Sequence, residues 1–117
     1  MMTNSRVFGH HLAGVDLAGG AHALLSNNII GCNSIAGPNA SSGVIVRAGV
    51  SDFIIQGNHV GNVFKGSSAG LQRHGVEIAL GASDNYVVSG NTLVGNAGAG
   101  ISDGGTGPHK QVQGNVG

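Results

Sequence analysis

Apolar and polar residues alternate along the chain in short runs of two recurring kinds. One kind ends in asparagine: Leu24-Leu25-Ser26-Asn27-Asn28, Phe53-Ile54-Ile55-Gln56-Gly57-Asn58, Tyr86-Val87-Val88-Ser89-Gly90-Asn91 and Gln111-Val112-Gln113-Gly114-Asn115. The other begins with glycine: Gly14-Val15-Asp16-Leu17, Gly43-Val44-Ile45-Val46, Gly75-Val76-Glu77-Ile78 and Gly100-Ile101-Ser102-Asp103. Alternation with a period of two predicts strands, and no helical period is present. A weaker fifth copy of the first kind, Arg6-Val7-Phe8-Gly9-His10, sets His10 where the others have asparagine.

The spacing is as informative as the runs. From Gly14 to Asn28, Gly43 to Asn58, Gly75 to Asn91 and Gly100 to Asn115 the chain advances 14, 15, 16 and 15 residues. The return from each anchor to the next block glycine, starting at His10, takes 4, 15, 17 and 9 residues. A constant arc joined by one variable loop describes a chain winding about an axis. Each turn is expected to hold a first strand at the glycine block, a second such as Tyr86 to Ser89, and a third such as Thr92 to Val94. The Gly-Asn pair suits the bend between the second and third strands, because these residues tolerate left-handed backbone cheaply. Stacked turns then set Asn28, Asn58, Asn91 and Asn115 about 4.8 Å apart along one line, their amides hydrogen-bonding up the stack. His10 is expected at its lower end. Parity sends Val15, Leu17, Val44, Val46, Val76, Ile78 and Ile101 inward from the first strands. It sends Val7, Leu25, Phe53, Ile55, Tyr86, Val88 and Val112 inward from the second, and Leu12, Ile30, Val60 and Leu93 from the third.

Composition narrows the class. Glycine accounts for 23 of 117 residues, only 9% are charged, and the formal net charge is zero. Glycine at this frequency weakens any helix by about 1 kcal/mol per residue relative to alanine. Two prolines exclude a collagen helix, and plentiful valine and isoleucine exclude a disordered chain. Five basic residues against five acidic ones leave no basic face for nucleic acid. No apolar stretch approaches the ~18 residues of a membrane span, and no secretory signal opens the chain. Cys32 stands alone, so an internal disulfide is excluded. One domain over residues 1–117 is expected.

The run Val88-Ser89-Gly90-Asn91-Thr92-Leu93-Val94-Gly95-Asn96, continuing to Gly100-Ile101, resembles the repeat of the pectate-lyase-like superfamily. The resemblance reaches from about Val7 onward and implies an all-β, right-handed parallel β-helix of four to five coils. The ending Ile101-Ser102-Asp103-Gly104-Gly105-Thr106-Gly107 through Asn115 is most similar to β-helix segments of bacteriophage tailspikes. That likeness implies a homotrimer in a virion tail or outside the cell, binding and in some cases cleaving bacterial surface polysaccharide. Two alternatives stand beside it: a polysaccharide lyase, epimerase or glycosidase of the same fold, and a purely structural spike segment. Four to five coils without capping helices leave open strand edges. The chain is therefore expected to be a segment of a larger spike, or a small protein with its ends covered by partner subunits.

In this superfamily the carbohydrate groove runs along the outer face of the first strands, so the outward residues there are the candidates for chemistry. They are Asp16, Ile45 with Arg47, Glu77 and Ser102. Asp16 and Glu77 share a column two coils apart, about 10 Å between backbones. Side-chain reach brings them into the roughly 6.5–9.5 Å separation of inverting glycosidases. Arg47 between them has the fork to hold an acidic sugar's carboxylate, and His74 before the strand has the chemistry of a general acid or base. The same Asp16, Arg47 and Glu77 also read as a surface ion-pair ladder. His22, Asp52, Asp84 and His109 are read as matching turn positions. Ligands nearly 5 Å apart in successive coils do not converge on an ion, so no metal or other cofactor is expected. Asp103, at an inward position before Gly104-Gly105, reads as a cap on the bend. Leu24, Ile54 and Val87 form an outward aliphatic column on the second strands, the expected contact between chains of a trimer.

Overall fold

The computed structural model of the protein describes residues 1–61 and 72–117. Among the described residues the fold is all-β, with twelve strands and no helix. In chain order they are β1 Met2–Thr3, β2 Arg6–Phe8, β3 Val15–Leu17, β4 Ala23–Ser26, β5 Ile29–Gly31 and β6 Val44–Val46. Then come β7 Phe53–Gln56, β8 His59–Gly61, β9 Val76–Gly81, β10 Tyr86–Ser89, β11 Ile101–Gly105 and β12 Lys110–Gln113. They form three parallel sheets, which we number I (β1-β4-β7-β10-β12), II (β2-β5-β8) and III (β3-β6-β9-β11). The chain visits I, II and III in turn, and each visit pairs with the previous one in register. Thr92 continues sheet II only as an isolated bridge between His59 and Val116, so a full third strand at Thr92 to Val94 does not form.

The interior follows the alternation of the strands. In β7, Phe53 and Ile55 are buried while Ile54 and Gln56 face out. Val44, Val46, Val76 and Ile78 line the inside of sheet III, and Val7, Ile30 and Val60 that of sheet II. Phe53 and Tyr86 stack one above the other inside sheet I, centroids 4.7 Å apart and planes 5° from parallel.

The first turn departs from the sequence expectation. Met2 and Thr3 pair with Leu25 and Ser26, while Arg6 and Val7 pair with Ile29 and Ile30. The segment Arg6–Phe8 therefore belongs to sheet II, and Ser5 rather than His10 stands beneath Asn28. With Ser5 as the anchor, the return to Gly14 spans nine residues, the same as from Asn91 to Gly100. Leu12 then falls in the loop and is 62% exposed, its expected core place being taken by Val7.

Two groups of glycines have different causes. Asn4, Asn27, Gly57, Gly90 and Gly114, one per turn just before the anchor, all have φ between 50° and 65°. The sheet I to sheet II corner demands left-handed backbone, which Gly and Asn adopt at least cost. The block glycines have no such torsion. A Cβ on Gly14 would lie 2.6 Å from Asn33 Nδ2, and one on Gly43 2.7 Å from Gln72 Nε2 and 2.5 Å from Val60 Cγ1. Close packing selects glycine there.

Candidate functional site

Two rows of amides hold the turns in register and so set the outer face of sheet III. In the first, the Asn28 N–H and Nδ2 both donate to Asn58 Oδ1, at 2.9 and 3.0 Å. Asn58 does the same to Asn91, and Asn91 to Asn115. The Ser5 N–H closes the lower end on Asn28 Oδ1 at 2.9 Å. A second row lies where the variable loops return. Asn33 Nδ2 donates to Gln72 Oε1 at 2.8 Å, and Gln72 Nε2 donates to Asn96 Oδ1 at 3.0 Å. The His10 N–H donates to Asn33 Oδ1, so His10 belongs to this row. Sequence reasoning missed it, although Asn33 and Asn96 each follow an anchor asparagine by five residues.

With the turns in register, Asp16 lies opposite Ile45, Ile45 opposite Glu77, and Glu77 opposite Ser102 across sheet III. At strand spacing the row is about 14 Å long, with Asp16 and Glu77 about 10 Å apart along the backbone. Asp16 does not stand free. Arg47 Nε donates to its Oδ1 at 3.0 Å and Nη2 to its Oδ2 at 2.7 Å, a two-pronged pair on two exposed side chains. Those bonds hold the Asp16 carboxyl below the usual carboxylate range and raise the guanidinium correspondingly.

Glu77 sits deeper, its side chain 19% exposed. Arg73 Nη2 donates to both of its oxygens, at 2.6 and 2.7 Å, and Ser42 Oγ donates to Oε2 at 2.5 Å. Burial alone pushes the Glu77 carboxyl up, but the bonds from Arg73 and Ser42 outweigh it and bring the group below its usual range. The backbone N–H of His74 donates to Ser42 Oγ at 3.3 Å, and His74 Nδ1 accepts the Ala99 N–H at 3.0 Å. Glu77, Ser42, Arg73 and His74 thus form one connected cluster, while Asp16 and Arg47 form another beyond Ile45. Ser42 and Arg73 were missed from the sequence; Ser42 stands immediately before the block glycine, where a strand begins.

This chemistry favours contact over proton transfer. Inverting hydrolysis requires one carboxylic acid kept protonated beside one carboxylate. Here both carboxyl groups are held ionised by arginines. The face offers carboxylate lone pairs, remaining guanidinium N–H groups and the Ser102 hydroxyl, with Ile45 as an apolar floor between the pairs.

The turns between sheets III and I hold His22, Asp52, Asp84 and His109. Phe53 pairs with Tyr86, which sets Asp52 opposite Asn85 rather than Asp84. Asn85 Nδ2 donates to Asp52 Oδ1, and His109 Nδ1 lies 2.9 Å from Asp84 Oδ2. Among the described residues no three His, Cys, Asp or Glu side chains converge on a metal position. Asp103 accepts the Gly105 N–H at 3.1 Å and the Tyr86 hydroxyl at 2.6 Å. On the outside of sheet I, Leu24, Ile54 and Val87 lie side by side, with Ile54 exposed and the other two half-buried. A depression of about 360 Å³ beside them is lined by His22, Ala23, Leu24, Asp52, Ile54 and Asn85.

Comparison of the chain with protein-family models, with curated proteins and with solved structures returns no match.

Proposed function

We propose that this chain is a right-handed parallel β-helix of four to five coils, acting as the shaft of a tailspike-like homotrimer. In this reading it is borne on a virion tail or otherwise works outside the cell. The outer face of sheet III engages a bacterial surface polysaccharide. The observation that carries the reading is the row Asp16, Ile45, Glu77 and Ser102, with its two arginine pairs. It is an extended strip of hydrogen-bonding groups along stacked parallel strands, the length of two to three sugar rings at about 5 Å each. The cyclic order of the three sheets and the amide rows support the solenoid, and the aliphatic column on sheet I supports side-by-side packing of chains. Binding without cleavage is the reading favoured by two carboxylates both held ionised.

Co-sedimentation with purified capsule or lipopolysaccharide, alongside light scattering on a sizing column, tests it. The expected results are retention by polysaccharide, no shortening of the polymer, and a particle of three 11.5 kDa chains. A monomer at high concentration removes the trimer. Depolymerisation that Asp16→Asn and Glu77→Gln both abolish would install the glycosidase reading instead.

A further inference from the structure

We propose that the polysaccharide taken by the sheet III face is neutral, built of uncharged hexoses, and that acidic sugars are turned away. The inference rests on the polysaccharide reading above and concerns which class of sugar that face selects.

From sequence alone, Arg47 has the fork to grip a uronate. The structure gives that fork another occupant. Arg47 Nε and Nη2 both donate to Asp16, which fills the two-pronged edge a sugar carboxylate would need. Arg73 is likewise committed to Glu77, with Nη2 serving both carboxylate oxygens. Along the row the charges cancel in place: Asp16 against Arg47 and Glu77 against Arg73. Lys110, on β12 of sheet I, is taken by Asp103 of β11 at 3.0 Å. A uronate arriving here meets two fixed carboxylates and no uncommitted cation among these residues. It would have to break a charge-assisted pair to bind.

A neutral pyranose faces no such conflict. Its vicinal hydroxyls are donors and acceptors together. They can donate to the spare lone pairs of Asp16 and accept from the Arg47 N–H groups not used in the pair. Asp16 and Arg47 are 42% and 53% exposed, so both remain within reach of a ligand. Between the two ion pairs, Ile45 offers an apolar floor for the C–H face of a ring, and Ser102 extends the row by one hydroxyl.

Affinity electrophoresis of the folded full chain tests the proposal, with gels containing neutral polymers (dextran, galactomannan, mannan) or acidic ones (polygalacturonate, alginate). The wild type is expected to be retarded by at least one neutral polymer, about tenfold more strongly than by either acidic one. Asp16→Asn frees Arg47, so it is expected to reverse the order. Neutral retardation should fall, and salt-sensitive retardation by polygalacturonate should appear. Circular dichroism checks that the variant keeps its strands. Preference of the wild type for the acidic polymers, or an Asp16→Asn variant with unchanged order, overturns this inference and leaves the polysaccharide reading standing. No retardation by any polymer in either set overturns this inference, and failure of purified capsule and lipopolysaccharide to bind as well removes the polysaccharide reading with it.

Discussion

Asn58 shows what a single side chain does in this fold. Its amide accepts two hydrogen bonds from Asn28 and donates to Asn91 Oδ1 and to the carbonyl of Leu25, while 1% exposed. Truncation to alanine strands several buried polar groups at once, each costing about 1–3 kcal/mol when left unpaired. Asn58→Ala is expected to lower stability by roughly 3 kcal/mol or more. Asn115→Ala, at the exposed end of the row, should cost less than half as much. Urea melts of the two variants measure the contrast, and equal losses would mean the amides do not act as a row. The anchor asparagines are legible in the sequence because the same corner recurs in every turn. The second row is harder to see. Its members Asn33, Gln72 and Asn96 are two asparagines and a glutamine, lying 39 and 24 positions apart in the order of the row, on loops of unequal length.

Strands β10, β11 and β12 are tied together by Tyr86, whose ring stacks in the core while its hydroxyl reaches Asp103. Lys110 Nζ completes the link, donating to Asp103 Oδ2 at 3.0 Å and to the Gly105 carbonyl at 2.6 Å. Burial pushes the Asp103 carboxyl up, yet the bonds from Tyr86 and Lys110 prevail and hold it below its ordinary 3.8. Its contribution is therefore present above about pH 4 and lost as pH falls through the depressed value. Burial first, then the bond to Asp103, raises the Tyr86 hydroxyl above its ordinary 10.0. That contribution is present below pH 10 and lost as pH rises past the raised value. Tyr86→Phe keeps the stacked ring and removes the link. The variant is expected to be less stable by about 1 kcal/mol between pH 5 and 9, with the difference shrinking at both extremes. Thermal melts across pH check this, and a difference independent of pH would show that the hydroxyl carries none of it. Alternation marks most of the strands, though not β1, and it suggests one at Thr92 to Val94 that is only a bridge. The first turn was misread because β1 is only two residues long and its anchor is a serine, leaving Arg6–Phe8 as the nearest apparent copy.

The assembled chain measures 39 × 24 × 22 Å, with sheet I presenting an outer face of aliphatic and uncharged polar side chains in parallel columns. Leu24, Ile54 and Val87 run across β4, β7 and β10, and the next position, Gln111, carries no charge either. Such a column is the natural contact for identical chains around an axis. If the chain forms the proposed trimer, replacing the three with lysine is expected to leave the strands intact and shift the light-scattering mass from three chains to one. A triple-lysine variant that keeps the wild-type mass would place the contact elsewhere.

The winding period, the anchor asparagines and the inward residues other than Leu12 were present in the linear order of the chain. Each turn repeats the same local problem of alternating burial and a tight corner, and solves it with the same residues. The pairing on sheet III was not. Arg47 seen in a string could serve a ligand or a neighbour, and Glu77 could be an acid or half of an ion pair. Those alternatives close only when separate turns come side by side, bringing Arg47 onto Asp16 from 31 residues away and Ser42 onto Glu77 from 35. Charge placement across a sheet depends on register and loop length together, and neither is local.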